Sequence, residues 1–259
     1  MSLAQPSGFF GDLTTVAKRA IRSMLREPEF LAPALIVPMF FYAVNIGALQ
    51  DVAESFGEGL DFKAFQLPVA IIFAVTGVSR ANVVVTDIQT GYLDKLLITP
   101  VRRVALLLGM MVADLVLVVF LAMLVSGVGF LVGVRFATGF LGWLVFLALT
   151  AGWGLAFTGF PYTVALRTGN PAAVNSAFLI FFPFAFLTSA FLPLEALTSW
   201  LRTIAQFNPV TYLLEGLRSL IMEGWVAEDL LRAVAAVGGL AIITFTLAFT
   251  SLNKRLSSG

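Results

Sequence analysis

Six apolar runs of similar length restrict what this chain can fold into more than any other feature. They cover residues 30–49, 67–85, 104–132, 140–166, 172–192 and 230–252. A helix rises about 1.5 Å per residue, so about 20 apolar residues cross about 30 Å of hydrocarbon. Helices also satisfy their own backbone polar groups where no water is available. The runs therefore predict an all-α integral membrane protein with six transmembrane helices.

Composition points to the same solvent. Hydrophobic residues make up 59% of the 259 residues and charged residues 12%, with a mean hydropathy of +0.95. Soluble domains contain about 45–50% apolar and about 25% charged residues. We therefore interpret residues 1–259 as a single transmembrane domain surrounded by membrane lipid.

Two missing residue types remove several classes of chemistry. The chain has no Cys and no His, which excludes disulfides, thiol nucleophiles, Cys/His zinc sites and histidine acid–base catalysis. Its net charge of +1 gives no basic field that would attract nucleic acid. The sequence thus predicts no catalytic residue, no metal site and no nucleic-acid partner.

The distribution of basic residues predicts the orientation. With both termini in the cytoplasm, most of the sixteen Lys and Arg residues fall on the inner side, as the positive-inside rule requires. The internal residues are then Lys18, Arg19, Arg22, Arg26, Arg80, Lys95, Arg102, Arg103, Arg167, Lys254 and Arg255. This orientation makes the loops after the second and fourth runs cytoplasmic.

The segment before the first run has its own pattern. Apolar residues recur at helical spacing in residues 9–27, while Lys18, Arg22 and Arg26 repeat every four residues on another face. Such a segment predicts an amphipathic helix lying in the membrane interface. Pro28 is expected to end or bend it. A simple anchor and a role in transmitting motion both fit this helix.

The cytoplasmic loop at residues 86–103 resembles a second amphipathic helix. Thr86 and Gln89 have the spacing of a capping box, and Pro100 is expected to end the helix. The apolar face consists of Tyr92, Leu93, Leu96 and Leu97. A partner protein could bury this face in a groove, or the helix could rest on lipid headgroups.

Residues 91–103, followed by Leu108 and Gly109, resemble the permease subunits of ABC-2 type exporters, the group that includes the daunorubicin-resistance membrane subunit. Gln89 stands where relatives often have an acid, and Tyr92 replaces a small residue. The resemblance implies that this loop is the coupling helix of an ATP-driven transporter. The residues it assigns to ATPase contact are Asp87, Gly91, Tyr92, Leu93, Leu96, Leu97, Pro100, Arg102 and Arg103.

Further expectations follow from this resemblance. The chain contains no Gly-x4-Gly-Lys-Ser/Thr phosphate loop, since no Gly is followed by Lys. ATP and Mg are therefore expected on a separate nucleotide-binding subunit, and this chain is expected to be a transport subunit, not an enzyme. The resemblance also implies a second permease copy or paralogue, a bacterial inner membrane, and outward movement of an amphipathic drug or lipid-like substrate.

The segment at residues 193–228 is too apolar for an ordinary loop and too short in each half to span. Asn208 and Pro209 divide it, which predicts two short helices re-entering the outer leaflet. Its Asn-Pro-x-Thr-Tyr and Glu-Gly-Leu-Arg elements also resemble the ABC-2 pattern. An outer gate and simple interfacial packing both fit the residues singled out here: Trp200, Asn208, Pro209, Tyr212, Glu215 and Arg218.

Two charged residues fall within apolar runs. Arg80 lies near the end of the second run and Asp114 within the third, both toward the cytoplasmic side. Burying either charge alone costs at least about 2.5–3.5 kcal/mol on insertion scales, so we expect the two to form an intramembrane ion pair. A proton or substrate site at Asp114 is the alternative.

Small and aromatic residues mark expected helix contacts. Gly129 and Gly133 have the Gly-x-x-x-Gly spacing that permits close helix approach, and Pro183 is expected to kink the fifth helix. A candidate substrate cavity surrounds the kink, with Phe178, Phe182, Pro183 and Phe186 as lining residues. Phenylalanines facing lipid would give the same pattern.

A secondary transporter or channel and an intramembrane enzyme would each need features other than those of an exporter subunit. A self-sufficient secondary transporter or channel usually has several ionisable groups near the midplane or repeated halves with broken helices. An intramembrane enzyme would need a second membrane aspartate, a His pair, a Gly-x-Ser-x-Gly element or a thiol. The sequence offers neither pattern beyond Asp114, so the secondary transporter or channel stays as the alternative.

Overall fold

A computed structural model describes residues 28–54, 61–91 and 103–257, together with positions 18 and 22. All regular secondary structure in these ranges is helical. Five stretches within them are long and apolar enough to cross a membrane: Ala32–Asp51, Phe62–Gln89, Leu107–Leu131, Gly139–Thr168 and Ala227–Arg255. The predicted all-helical membrane class is therefore confirmed.

In chain order the described helices are α1, Pro28–Glu54; α2, Phe62–Thr76; α3, Ala81–Gln89; α4, Arg103–Leu131; α5, Gly139–Thr168; α6, Pro171–Ala177; α7, Phe181–Phe186; α8, Ser199–Gln206; α9, Pro209–Arg218; and α10, Ala227–Ser257. Short 3-10 turns occur at Phe178–Ile180 and Leu194–Ala196, and a π-helical turn at Ser219–Glu223 continues α9. The first, third, fourth and sixth apolar runs correspond to the long helices α1, α4, α5 and α10.

The second apolar run forms two helices instead of one. Asp61 begins α2, because its carboxylate accepts hydrogen bonds from the backbone N–H groups of Lys63 and Ala64 at 3.1 and 3.2 Å. The helix ends at Thr76, and α3 begins at Ala81 after a non-helical stretch. The run therefore contains a break in its second half, between Thr76 and Ala81, that the apolar pattern did not indicate.

The predicted helix start at Thr86 is wrong. Thr86 lies inside α3, and its hydroxyl donates to the Asn82 carbonyl oxygen of the preceding turn at 3.1 Å. The Gln89 side chain does not reach back to Thr86; its amide donates to the Gly169 carbonyl oxygen at 3.0 Å. Capping-box spacing was misleading here, because the helix had already started upstream at Ala81.

The fifth apolar run is divided into short pieces. Asn170 caps α6 by accepting from the Ala172 N–H at 2.8 Å, and Pro171 occupies the first turn. A 3-10 turn, Phe178–Ile180, then separates α6 from α7, which contains Pro183. Proline lacks the N–H that would bond one turn back, so an irregularity directly before Pro183 has a physical cause.

The segment after α7 contains two short helices, α8 and α9, with Asn208 between them. The first helix begins at Ser199, because Leu197 and Thr198 adopt extended backbone conformations. Pro209 occupies the first turn of α9. The depth of these helices in the membrane, and the side on which they lie, stay predictions.

Two larger hydrophobic clusters organise the described part of the chain. The first cluster joins α2, α4, α5 and α9, and it includes Leu67, Val75, Leu117 and Trp153. The second cluster joins α3 to the opposite ends of α4, α5 and α10, and it includes Val84, Met111, Tyr162 and Leu252. In contrast, α1 packs mainly on α2 and exposes Ile36, Val37 and Phe40.

The two glycines of the Gly-x-x-x-Gly spacing have different roles. A Cβ atom at Gly129 would lie 2.7 Å from Leu67 Cδ2, so this glycine permits α4 to approach α2 closely. Gly133 has a φ of +100° just after α4 ends, and no atom lies within 4 Å of its Cβ position. It suits the end of the helix and not a helix contact.

Two predicted elements lie largely outside the described residues. Of the interfacial helix at residues 9–27, the structure describes Lys18 and Arg22, which are helical and exposed. Of the coupling loop at residues 86–103, it describes residues 86–91 and the backbone of Arg103. The contacts predicted for Tyr92, Leu93, Leu96, Leu97, Pro100 and Arg102 therefore lie outside the described residues.

Candidate functional site

The break between α2 and α3 is the most polar part of the spanning helices. Asp114, on α4, is completely buried and accepts a hydrogen bond from the backbone N–H of Arg80 at 3.0 Å. Its other carboxylate oxygen accepts from the Tyr162 hydroxyl, on α5, at 2.7 Å. The carboxylate thus lies at the N-terminus of α3, where the helix dipole favours a negative charge.

The structure places Arg80 beside Asp114, and the hydrogen bond between them uses the main chain of Arg80. Pairing of the two side-chain charges stays a prediction. Sequence reasoning missed Tyr162, because a tyrosine within an apolar run gives no sign of its partner. The only local cue to the break was a pair of small residues, Gly77 and Ser79. The Ser79 hydroxyl accepts a hydrogen bond from the Ala81 N–H at 3.1 Å.

The end of α2, before the break, is also held by α5. The Thr76 hydroxyl, in the last turn of α2, donates to the Ile72 carbonyl oxygen at 2.6 Å. The same oxygen accepts from the Trp153 indole N–H at 3.0 Å. Trp153 and Tyr162 are both on α5, so this one helix contacts both sides of the break.

Beyond the break, α3 is attached to the corner between α5 and α6. The Asn82 amide donates to the Asn175 side-chain oxygen at 2.9 Å, and Gln89 donates to the Gly169 carbonyl oxygen. Gly91 then adopts a φ of +66°, which favours glycine and ends the helical path. Asp87 is buried on α3. Of the predicted ATPase contacts, Asp87 is thus buried within α3, and the set from Gly91 onward follows this firmly positioned helix.

Asn208 connects the end of α7 to the start of α9. Its side-chain oxygen accepts from the Val210 N–H at 3.0 Å, which caps α9. Its amide nitrogen donates to the carbonyl oxygens of Phe184 and Leu187 at 2.7 and 3.0 Å. Those carbonyls end α7 and would otherwise lack partners. Asn208 therefore fixes the entry to α9.

The other residues predicted for the outer gate are spread along this segment. The Tyr212 hydroxyl donates to the Gln206 carbonyl oxygen, which ties α9 back to α8. Trp200 is exposed on α8. Arg218, at the end of α9, is buried and donates to the Phe65 carbonyl oxygen and to the Ser189 hydroxyl, both at 3.1 Å. The predicted gate residues thus make separate contacts and do not form one cluster. The hydrogen bond from Arg218 to the Phe65 carbonyl oxygen connects this segment to α2.

A cavity of about 310 Å³ lies beside Arg218 and carries several acids. Its ionisable lining residues are Glu195, Glu215, Arg218, Glu223 and Asp229. Burial raises the pKa of Glu215, and the nearby Asp229 carboxylate raises it further, while Arg218 and Arg232 act in the opposite direction. The cavity is therefore polar and predominantly acidic.

The predicted phenylalanine cavity is packed by aromatic contacts around a residue that the prediction omitted. Phe73, on α2, makes edge contacts with Phe181, Phe182 and Phe186, at centroid distances of 5.5, 6.2 and 5.9 Å. The space between α1, α2 and Phe186 is only about 20 Å³. Phe182 and Phe186 are partly exposed on the outer surface of the chain.

A larger apolar cavity of about 320 Å³ lies on the other side of α7. It is lined by residues of α5, α7, α9 and α10, including Trp153, Phe157, Phe181, Phe184, Val210 and Leu247. Thr244 also lines it, but its hydroxyl donates to the Ala156 carbonyl oxygen at 2.6 Å. None of the four predicted cavity residues, Phe178, Phe182, Pro183 and Phe186, lines this larger space.

Comparison with known proteins agrees with this architecture. The family model described as ABC-2 type transporter matches residues 12–222. The chain is 22% identical over 226 residues to the probable doxorubicin resistance ABC transporter permease protein DrrC of two Mycobacterium tuberculosis strains, covering 87% of this chain and 82% of the relative. It is 24% identical over 194 residues to the daunorubicin resistance ABC transporter permease protein DrrB1 of Streptomyces coeruleorubidus, covering 74% of this chain and 66% of the relative.

The family match extends from the segment before α1 through the π-helical turn after α9. It therefore includes the broken second run, the predicted coupling loop and both short helices around Asn208. Together with the five span-length helices, this coverage leads to one conclusion: the chain belongs to the ABC-2 type transporter family and is a membrane permease.

Proposed function

We propose that this permease is the membrane-spanning subunit of an ATP-dependent exporter. It moves an amphipathic drug or lipid-like substrate outward, and a separate subunit hydrolyses ATP. The observation that carries the proposal is the family match over residues 12–222, which spans both the coupling loop and the outer segment. The relatives named as doxorubicin and daunorubicin resistance permeases support the substrate class.

The ATPase subunit docks on the coupling helix within residues 86–103. In this proposal Tyr92, Leu93, Leu96 and Leu97 enter a groove of the ATPase, the helix-in-groove mode of recognition. The firm attachment of α3 to Gly169 and Asn175 supports the idea, since a force applied just after Gly91 would reach the spanning helices. ATP and Mg are held by the ATPase subunit.

The working unit contains two permeases and two ATPase subunits in a bacterial inner membrane. Each permease has six spans and cytoplasmic termini, with the broken fifth run, residues 172–192, counted as one span. The outer helices α8 and α9 then re-enter the outer leaflet. The exposed apolar surface of α1 supports contact with lipid or with a second permease.

An amphipathic substrate suits the two environments that α9 touches. Pro209 and Val210, at its start, line the apolar cavity, whereas Glu215 and Arg218, nearer its end, line the acidic cavity. Apolar pockets with a few polar groups at one side bind molecules that have an apolar body and a polar end. We place the substrate body in the apolar cavity, on the side of α7 opposite to Phe186.

Affinity purification tests the proposal directly. The full chain is purified in detergent from its native host, together with whatever subunit accompanies it. A stoichiometric ATPase is expected, and the L93D L96D variant is expected to lose it because two new charges would be buried in the groove. Phe207→Asp is the control, since it adds one such negative charge at a highly exposed position between α8 and α9.

The possible results separate the two function classes. Loss of the ATPase from the double variant but not from Phe207→Asp supports the exporter subunit. A folded chain that transports a substrate with no ATPase bound would overturn the proposal. That result would favour the self-sufficient transporter or channel.

A further inference from the structure

The break in the second run separates two packed bodies. On one side, α2 contributes Leu67, Ile71 and Val75 to the first cluster. On the other side, α3 contributes Ala81, Val84 and Val85 to the second cluster. Residues 77–80 connect the bodies without helical structure. The break allows α2 and α3 to change their relative angle, which is the geometry of a hinge, whereas α4 and α5 run unbroken through both clusters.

Two helices are joined directly to the predicted coupling helix: α3 before it, and α4, which begins at Arg103, after it. The first of these, α3, is fixed to α6 through Asn82 and to the α5–α6 corner through Gln89. A displacement of residues 92–102 therefore reaches both α3 and α4, and the part carried by α3 arrives at α2 through the break. How firmly the N-terminus of α3 is held decides whether the displacement moves α2 or is absorbed by residues 77–80.

The carboxylate of Asp114 holds that N-terminus. It accepts from the Arg80 N–H, which has no helical acceptor because the α2 helix stops at Thr76. Its second oxygen is oriented by Tyr162, which is completely buried in the second cluster. On α4, Asp114 lies between Met111 of the second cluster and Leu117 of the first. One side chain thus joins α3, α4 and α5 at the boundary of the two bodies.

We infer that Asp114 is a positioning residue for energy coupling: its carboxylate fixes the start of α3 so that motion of the coupling helix is transmitted to α2. This inference rests on the proposed function and adds a specific joint to it. The role requires a hydrogen-bond acceptor at the Arg80 N–H and a partner for the Tyr162 hydroxyl. It requires neither a mobile proton nor contact with substrate.

Asp114→Asn separates this role from its alternatives. An asparagine at this position keeps an oxygen that accepts from the Arg80 N–H, and its amide group can donate to the Tyr162 hydroxyl oxygen. Asp114→Ala removes both interactions. A proton or substrate site, or a role that depends on the negative charge, would fail in both variants.

The first experiment measures substrate transported per ATP hydrolysed, using the complete permease–ATPase complex in vesicles. Asp114→Ala is expected to lower this ratio about tenfold, a factor that corresponds to the loss of one or two buried hydrogen bonds. Asp114→Asn is expected to keep the ratio within about twofold of the unmodified complex. Tyr162→Phe, which leaves the Arg80 contact in place, is expected to give an intermediate ratio.

The matched control is Ser126→Ala. Ser126 is also completely buried on α4, and its hydroxyl accepts from the Trp143 indole at 3.1 Å, far along the helix from the break. This variant loses that contact and the hydrogen bond from the Ser126 hydroxyl to the Met123 carbonyl oxygen, without touching α3. It is expected to leave the ratio of transport to hydrolysis unchanged.

A second measurement does not need the ATPase. Because the chain has no native Cys, spin labels can be placed on the exposed positions Thr86 of α3 and Met123 of α4. We expect a narrow distance distribution in the unmodified permease and in Asp114→Asn. We expect a broad distribution in Asp114→Ala and a partly broadened one in Tyr162→Phe.

The outcomes distinguish this inference from the proposed function. An unmodified permease without any bound ATPase would overturn the proposed function while the label distances still test the joint. A coupled complex in which Asp114→Ala keeps both its ratio and its narrow distances overturns the inference alone. Equal damage by Asp114→Asn and Asp114→Ala also overturns it, in favour of a charge or proton role. If Asp114→Ala fails to fold, unchanged distances in Tyr162→Phe count against the inference.

Discussion

The guanidinium carbon of Arg218 lies 3.4 Å from the centroid of the Phe65 ring, and its Nε donates to the Phe65 carbonyl oxygen. One arginine therefore holds both the ring and the backbone of the first turn of α2. Through Ser189 and the Ala190 carbonyl oxygen it also holds the segment that follows α7. Removing it affects three parts of the chain at once.

Arg218→Met is expected to lower the free energy of unfolding by about 3 kcal/mol, because it removes several charge-assisted hydrogen bonds and the contact with the Phe65 ring. Thermal unfolding in detergent measures the change. Arg232→Met is the control, since Arg232 forms an exposed ion pair with Glu228 on α10. Such pairs contribute about 0–1 kcal/mol. Equal losses in the two variants would contradict the role given to Arg218.

Asn208→Ser tests the connection between α7 and α9. Serine keeps an oxygen that can cap α9 but loses the amide that donates to Phe184 and Leu187. We expect a loss of about 1–3 kcal/mol from the two unsatisfied carbonyls. The control is Asn170→Ser on α6, where only the cap is present and the change should be within about 0.5 kcal/mol. The measurement is the melting temperature of the Asn208→Ser and Asn170→Ser variants, and equal values would contradict the role given to the Asn208 amide.

Gly159→Ala is expected to destabilise the contact between α5 and α10. A Cβ atom there would lie 2.9 Å from the Thr244 backbone, which cannot move as a flexible side chain does. The expected loss is about 1–3 kcal/mol. Gly239→Ala on α10 has open space around its Cβ position and should be neutral or stabilising by about 0.5–1 kcal/mol. A tolerated Gly159→Ala would mean that α5 and α10 are less closely packed.

Glu215 predicts a pH dependence. Its pKa is raised in the folded chain by burial and by Asp229, so folding favours the protonated form. The stabilisation is complete below the ordinary glutamate pKa and is lost as pH rises through the raised pKa. Glu215→Gln should therefore flatten the decrease in melting temperature between acidic and neutral pH. Glu228→Gln, an exposed acid, controls for net charge, and a slope unchanged by Glu215→Gln would refute the assignment.

Single cysteines test the proposed topology, since the natural chain contains none. Cysteine at the exposed position Phe207 should react with a membrane-impermeant maleimide in intact cells. Cysteine at the exposed position Thr90, after α3, should react only after lysis. Labelling of Thr90→Cys from outside would reverse the proposed orientation.

The long helices could be predicted from the sequence because hydrophobic length directly reflects the membrane. The break at residues 77–80 could not, since the Asp114 carboxylate that accepts from its Arg80 N–H comes from another helix. Pro68 lies inside α2 without interrupting it, so the obvious helix breaker of that run was not the relevant one. Local composition identifies a span but not where tertiary contacts allow it to be broken.

The site residues show what a side-chain pattern leaves out. Arg80 and Asp114 lie together, but their hydrogen bond uses a backbone group that no side-chain pattern reveals, and the ion pair stays a prediction. Gly133 had the right spacing for a helix contact, yet the helix ends before it. The larger apolar cavity uses Phe181 and Phe184, neighbours of the predicted residues on other faces of the same short helix. The 3-10 turn before α7 changes which faces point inward, and the sequence does not fix that rotation.

The joint at Asp114 also has a consequence for biogenesis. The second apolar run leaves the ribosome before Asp114, which accepts from the Arg80 N–H, and Tyr162 follows later still. Until Asp114 arrives, the Arg80 N–H either bonds one turn back in a continuous helix or stays unsatisfied in hydrocarbon, which costs several kcal/mol. The run should therefore take its final, broken form only after α4 and α5 have been synthesised. Formation of the break is then a cooperative event over three helices.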